Sequence, residues 1–422
     1  MIQNIIEKFR GNQYLLQIAT LMSGTLMAQL VILGFIPIMT RLYTPAEFGI
    51  YSIFFSVSTI LGMVSSWKYE LAIMLPKSDR DAQALVFLSF LITFGMTLLV
   101  TVVIALFYDL LVVYFAKLSF VLWLIPLAMF VFGTLQIFIA YSSRNQFYKK
   151  IASIQVANAV TTVTTQSISR YFFTSDGLVV GKIMGDLISL FLYIRIYFKT
   201  QTLQLKSISR RRVKANMKRY ENFPKYQSIN IFINAISQNI PSFLFLSLFS
   251  PEVVGFYALT VRVLQAPISL IGSSTKEVYY QKASKMYAKG EDIYPLYKKT
   301  TLGLLKLFIL PFLIIFFFGE EIFGFIFGAE WAVSGVIAQI SIVWFLFTFI
   351  NAPSVVSYNI LGLQKVQLQL QAILFVVRVL SIYLGFYIYD SYIASVVIFT
   401  VMGVVMNSVT IFYVSGKLRR CN

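Results

Sequence analysis

Histidine is absent from the 422 residues, a single cysteine, Cys421, stands one place from the end, and 17 acidic side chains face 35 lysines and arginines. Without histidine there is no imidazole base and no His metal site. One cysteine excludes an internal disulfide framework. No glycine-rich loop ends in the Lys-Ser/Thr of an ATPase phosphate cradle, so the chain holds no nucleotide-driven motor. We therefore expect no catalytic residues, no metal, no cofactor and no enzyme. Charge of either sign is scarce: 12% of residues are charged, against about 25% in soluble domains. What fills the space is apolar, with 58% hydrophobic residues and a mean hydropathy of +0.77. A bilayer crossing takes about 20 apolar residues, so the chain accommodates about a dozen crossings with short connections.

Hydrophobic runs between polar punctuation predict helices near 15–39, 49–67, 84–107, 118–140, 151–171 and 178–198, then 229–249, 255–276, 300–318, 334–357, 368–389 and 391–414. The fold class expected is all-α integral membrane, with about 12 transmembrane helices. The run after Gly11 is too long for a signal-peptide core and reads as a retained first helix; Ile2, Ile5, Ile6 and Phe9 before it suit a turn or two at the interface. Of the 35 basic residues, Arg41, Lys117 and Arg170 fall on one side, and Lys182, Arg195, Arg262, Lys306 and Arg378 fall inside spans. The remaining 27 lie on the other side. That asymmetry orients the chain with both termini in the cytoplasm, and it accounts for the net charge of +18 without nucleic acid. The longest connection, 199–228, carries nine basic residues and divides the chain into an N-lobe, 1–198, and a C-lobe, 229–422. It reads as a linker on the anionic lipids of the cytoplasmic leaflet. The longest outer connection runs from Phe318 to Val333 with Glu320, Glu321 and Glu330, leaving little room for the catalytic loop of a membrane polysaccharide polymerase.

Thr44-Pro45-Ala46-Glu47-Phe48-Gly49-Ile50-Tyr51-Ser52 returns 206 positions later as Ser250-Pro251-Glu252-Val253-Val254-Gly255-Phe256-Tyr257-Ala258. A hydroxyl residue, then proline, then a carboxylate is a helix-start signal. It falls after the first span of each six-span half, so the halves are parallel repeats. Such repeats with a central cavity between lobes are a transporter plan.

Polar groups inside spans cost enough to mark cavities or partners. Arg378 lies ten residues into the eleventh span, near mid-depth, and Arg262 lies about 10 Å from the outer end of the eighth. Lys182 and Asp186 share a face of the sixth span, either as a local ion pair or as a site of proton or sodium coupling. Arg41 is an interfacial anchor or a cavity rim. Lys306 and Arg195 lie close enough to span ends to snorkel. Asn158, Thr162, Thr165 and Ser169 stripe the fifth span, and Asn230, Asn234, Ser237 and Gln238 the seventh. Such stripes either bond neighbouring helices or make a sugar-accommodating wall, for which Asn158, Thr162, Asn234 and Gln238 are the candidates. Prolines 37, 126, 241, 267, 311 and 353 fall within or at the ends of spans.

Thr40-Arg41-Leu42-Tyr43-Thr44-Pro45-Ala46-Glu47-Phe48-Gly49-Ile50-Tyr51 and Lys68-Tyr69-Glu70-Leu71-Ala72-Ile73-Met74-Leu75-Pro76 resemble the N-terminal signature of bacterial polysaccharide-biosynthesis flippases of the Wzx type. Phe327-Gly328-Ala329-Glu330-Trp331, Asn359-Ile360-Leu361-Gly362-Leu363-Gln364-Lys365 and Val377-Arg378-Val379-Leu380 resemble their C-terminal patterns. The resemblance implies the multidrug/oligosaccharidyl-lipid/polysaccharide exporter fold, two six-helix lobes around a central cavity. It implies translocation of an undecaprenyl-diphosphate-linked oligosaccharide, an O-antigen or capsule repeat unit, across the bacterial inner membrane. A cationic lumen, alternating access and coupling to an ion gradient come with it, as do a polysaccharide polymerase and a chain-length regulator as partners. Arg41 and Arg378 lie in the matched motifs and map to that lining. Arg262 joins them by depth alone, and Lys182 is a fourth cation at depth. The rival in the same superfamily is a drug or small-molecule antiporter, which needs lobe carboxylates to meet cations, and this chain offers Asp186 alone.

Overall fold

The computed structural model describes residues 13–114, 119–173, 176–200 and 209–420. The interfacial turn expected before Gly11 and Cys421 lie outside them. Among the described residues all regular structure is helical, and eleven helices are long and apolar enough to cross a membrane. The expected fifth span is not among these eleven. It forms α7, Tyr148–Phe173, as long as its neighbours but less apolar because of the amides and hydroxyls along it.

The chain divides into two compact units, Met1–Tyr43 with Ile50–Asn239, and Thr44–Gly49 with Ile240–Asn422. In the first, α1 (Gln13–Leu42), most of α2 (Pro45–Val64), α4 (Asp79–Leu106), α6 (Ser119–Arg144), α7 and α8 (Gly177–Thr200) are the long helices, and α3 (Tyr69–Ala72) and α5 (Tyr108–Tyr114) are short. The α2–α4 connection is built like a socket. Trp67 and Lys68 take left-handed backbone conformations, and Lys68, buried, donates from Nζ to Glu70 Oε1 at 3.0 Å while Ser66 bonds the other oxygen. From the end of α6, Arg144 donates to the carbonyls of Ile73 (3.2 Å) and Pro76 (2.7 Å) and to Asp79 (3.0 Å).

The second half of the expected linker is ordered against this socket. It forms α9, Arg210–Arg219, whose Ser209 cap accepts from Arg212 N. Asn216 donates to Asp81 (3.3 Å), Arg212 Nε lies 3.5 Å from the same carboxylate, and the Tyr69 hydroxyl donates to Met217 O (3.0 Å). Burial, and then the negative charge of Glu221, raise the Tyr69 phenol above its usual range. The outward side of α9 exposes Arg210, Arg211, Lys214 and Lys218.

After a π turn at Phe223–Ser228 come α10 (Ile229–Leu248), α11 (Pro251–Ala288), α12 (Tyr294–Phe327), α13 (Ala332–Ile350), α14 (Ala352–Ile360), α15 (Gln364–Tyr389) and α16 (Tyr392–Arg420). Two expectations are corrected here. The ninth span does not end at Phe318: φ −123° and ψ 18° there mark a kink, and the helix continues through the expected outer connection to Phe327, followed by a 3-10 turn at Ala329–Trp331. Gly319 makes this possible, since a side chain there would run into Gly335 and Gln339 of α13. The tenth span is two helices broken at Asn351, because Pro353 has no N–H to continue the ladder and starts a new first turn.

The repeat seen in the sequence is a pair of helix starts. Thr44 and Glu47 form a capping box, with Thr44 N donating to Glu47 Oε2 (2.8 Å) and Glu47 N to Thr44 Oγ1 (3.4 Å). Pro45 and Pro251 open α2 and α11 as first-turn prolines. Within the second unit the two copies meet reciprocally: a Cβ on Gly49 would overlap the Pro251 carbonyl, and one on Gly255 would overlap the Pro45 carbonyl. Phe48 and Phe256 then hold the buried Trp331 edge-on from 4.9 and 6.1 Å.

Candidate functional site

In the first unit Asn158 and Thr165 of the α7 stripe bond α8, while the buried Thr162 Oγ1 has no hydrogen-bond partner among the described residues. Asn158 Nδ2 donates to Asp186 Oδ1 and to Ser189 Oγ, both at 2.9 Å. Lys182 Nζ lies 2.5 Å from the same Asp186 oxygen, with the two side chains 20% and 14% exposed. One turn on, Thr162 is buried where Gly185 leaves room for it, since a Cβ on Gly185 would overlap its hydroxyl. Thr165 Oγ1 donates to Gly181 O (3.0 Å) and Gln166 Nε2 to Leu178 O (2.9 Å). The structure thus brings Asn158, Lys182 and Asp186 into one cluster, with Thr162 beneath it. Each charge in it has an opposite or dipolar partner, so the arrangement joins two helices and presents little net field.

Asn234 and Gln238 pair with each other on α10, Gln238 Nε2 donating to Asn234 Oδ1 at 2.8 Å, and both are exposed. Arg41, exposed in the last turn of α1, has no ion pair among the described residues.

The cations of the second unit stand differently. Arg262, half-buried on α11, has neither a hydrogen bond nor a counter-ion among the described residues. Arg378 on α15 is also half-buried, with its guanidinium 5.9 Å from the Trp344 ring centroid and an electrostatic contact to the buried Tyr257. A guanidinium is a planar fork that holds phosphate oxygens bidentately and also stacks on aromatic faces. Two features escaped the sequence reading. Glu70 and Lys68 are buried although they lie in a connection, and no spacing rule marks a pair two residues apart. Asn351 and Asn407, bonded across helices at 2.8 Å, are 56 residues apart and carry no mutual signal in one sequence.

Residues 38–336 match the family described as polysaccharide biosynthesis protein. The chain belongs to that family. Among solved structures it is similar to the lipid II flippase MurJ in an inward closed conformation, at 13% identity over 93% of this chain and 87% of that one, with a TM-score of 0.74. It is also similar to an inward-facing multidrug resistance MATE family transporter of the MOP superfamily, at 12% identity over 95% of each chain and a TM-score of 0.69. A third is the Vibrio cholerae MATE transporter VcmN in its bent form, at 15% identity over 96% and 97% and a TM-score of 0.58. No curated protein is significantly similar in sequence. At such identities the likeness establishes the fold, the two-lobe architecture of this superfamily of transporters and flippases. The family match adds polysaccharide biosynthesis.

Proposed function

We propose that this polysaccharide-biosynthesis protein flips an undecaprenyl-diphosphate-linked oligosaccharide, an O-antigen or capsule repeat unit, from the cytoplasmic to the outer leaflet of the bacterial inner membrane. The observation that carries the reading is Arg262, a half-buried guanidinium in a membrane helix without a counter-ion among the described residues. An unpaired cation at such depth is costly, and an anionic cargo offsets that cost. Arg378 over Trp344 is the second phosphate-binding candidate, with Arg41 at the rim. In this mechanism the guanidinium groups replace the water around the diphosphate and the polyprenyl tail stays in lipid. One lobe rocks against the other to expose the head group outward. Asp186 is the candidate for coupling to a proton or sodium gradient, both termini are cytoplasmic, and a polymerase and a chain-length regulator act on the exported unit. A drug antiporter of the same fold is disfavoured because Asp186, its natural cation site, already holds Lys182 at 2.5 Å.

The test is export of surface glycan in cells that make only this transporter, with Arg262→Ala and Arg378→Ala compared at equal protein levels. We expect each to lower export about tenfold or more, the worth of one lost charge-assisted phosphate contact. Undiminished export in both would refute the anionic-cargo reading. Asp186→Asn with undiminished export would remove that residue from coupling.

A further inference from the structure

Inside the second unit, a pocket of about 140 Å³ opens at the break between α13 and α14, against the first half of α15 and the second half of α16. Its polar lining is Asn351, Tyr358, Gln367, Gln371, Asn407 and Thr410, and no charged residue lines it. Asn351 is 5% exposed. Its Nδ2 donates to Asn407 Oδ1 at 2.8 Å, and Asn407 Nδ2 donates in turn to Gly403 O at 2.8 Å. Asn351 Oδ1 is left a buried acceptor with no hydrogen-bond partner among the described residues. An orphaned buried acceptor of this kind calls for a donor, either an internal water or a ligand group. Gln371 is exposed, so the pocket has a polar mouth rather than a sealed wall.

The pocket has a fixed relation to the cation above it. Arg378 follows Gln371 by seven residues on α15, about 10 Å along the axis and on the same face after two turns. Trp344 of α13, whose ring centroid lies 5.9 Å from the Arg378 guanidinium, precedes Asn351 at the end of that helix by the same step. Gly403, which packs on the Trp344 ring, precedes Thr410 by the same step on α16. Three helices therefore carry a cationic aromatic layer and, one such step away, a neutral layer of amides and hydroxyls.

We infer that the neutral layer is a subsite for an uncharged, hydroxyl-bearing ring, a pyranose of the glycan, whose neighbouring phosphate is met by Arg378. Sugar hydroxyls both donate and accept, which matches an unpaired Asn351 Oδ1 and the amides at the mouth, while Leu374 between the two layers faces the apolar C–H side of a ring. A cationic drug or a metal ion finds no carboxylate there. The inference rests on the proposed function and gives the glycan a place different from the Asn158, Thr162, Asn234 and Gln238 wall expected from sequence.

The experiment compares two probes, undecaprenyl diphosphate and undecaprenyl-diphosphate N-acetylglucosamine, binding to the protein in nanodiscs. We expect the glycosylated probe to bind wild type about tenfold more tightly, the worth of one or two hydrogen bonds. Gln371→Leu and Asn351→Leu should each shrink that ratio toward one and leave the bare lipid unchanged. Gln371 is exposed, so Gln371→Leu carries the test should Asn351→Leu fail to fold. Arg378→Ala should weaken both probes equally. A wild-type ratio of one, or a ratio untouched by Gln371→Leu, overturns the subsite while binding of the bare lipid keeps the flippase reading. Binding of neither probe to wild type overturns both.

Discussion

Two polar clusters in membrane helices, one in each unit, are built in opposite ways. In the first, Lys182, Asp186, Asn158 and Ser189 satisfy one another within 2.9 Å. In the second, Arg262 has no counter-ion and Asn351 Oδ1 has no donor among the described residues. A closed polar network holds helices together, and breaking it should register as lost stability. An open one waits for a ligand, and breaking it should register as lost binding at little cost to the fold.

The largest effect should come from opening the closed network. Lys182→Met strands a carboxylate that is 14% exposed, and breaking a buried pair from one side costs about 3–5 kcal/mol; the check is thermal unfolding of purified protein, with a midpoint lowered by several degrees. Asn158→Ala removes one bond to the Asp186 carboxylate and one to the Ser189 hydroxyl while leaving the ion pair intact, and should cost about 1–3 kcal/mol by the same measurement. Removing both charges together, Lys182→Met with Asp186→Asn, should return stability to within about 1 kcal/mol of wild type, because no unpaired charge remains. A double variant as unstable as the Lys182→Met single would break the comparison. The smallest stability effect should belong to Arg262→Gln, within about 0.5 kcal/mol since no partner is lost, although glycan export falls. Arg262→Gln with a large loss of stability would place that guanidinium in the first category.

Much of the fold was legible because the bilayer imposes one rule, that long apolar segments become helices, and because the hydroxyl-proline-acid repeat marks two helix starts by a local mechanism. Thr44, Pro45 and Glu47 act within four residues of one another, so the sequence displays the cap directly. The kink at Phe318 and the break at Asn351 were not legible. The kink depends on what packs across, Gly319 against α13; Pro353 is visible in the sequence, but a proline inside a span does not by itself say whether the helix bends or ends. Likewise, the Lys182–Asp186 spacing announced a pair, but only the approach of Asn158 from α7 shows that the pair is saturated. For the pocket, the spacing of Gln364, Gln367, Gln371 and Arg378 on one helix face was present in the sequence. Its meaning required Asn351 and Asn407, brought in from two other helices. The docking of α9 through Asp81 and Tyr69 was not readable from the basic run after residue 199.

The reciprocal crossing of the two helix starts has a consequence for how this protein tolerates change. At Gly49 the obstacle to a larger residue is the Pro251 carbonyl, and at Gly255 it is the Pro45 carbonyl; both are main-chain atoms that no substitution trims away. A damaging Gly255→Val change therefore has no remedy by shaving its opposite number. Intragenic suppressors of it should cluster instead around Trp331, Phe48 and Phe256, where smaller rings would let one helix start slide off the other.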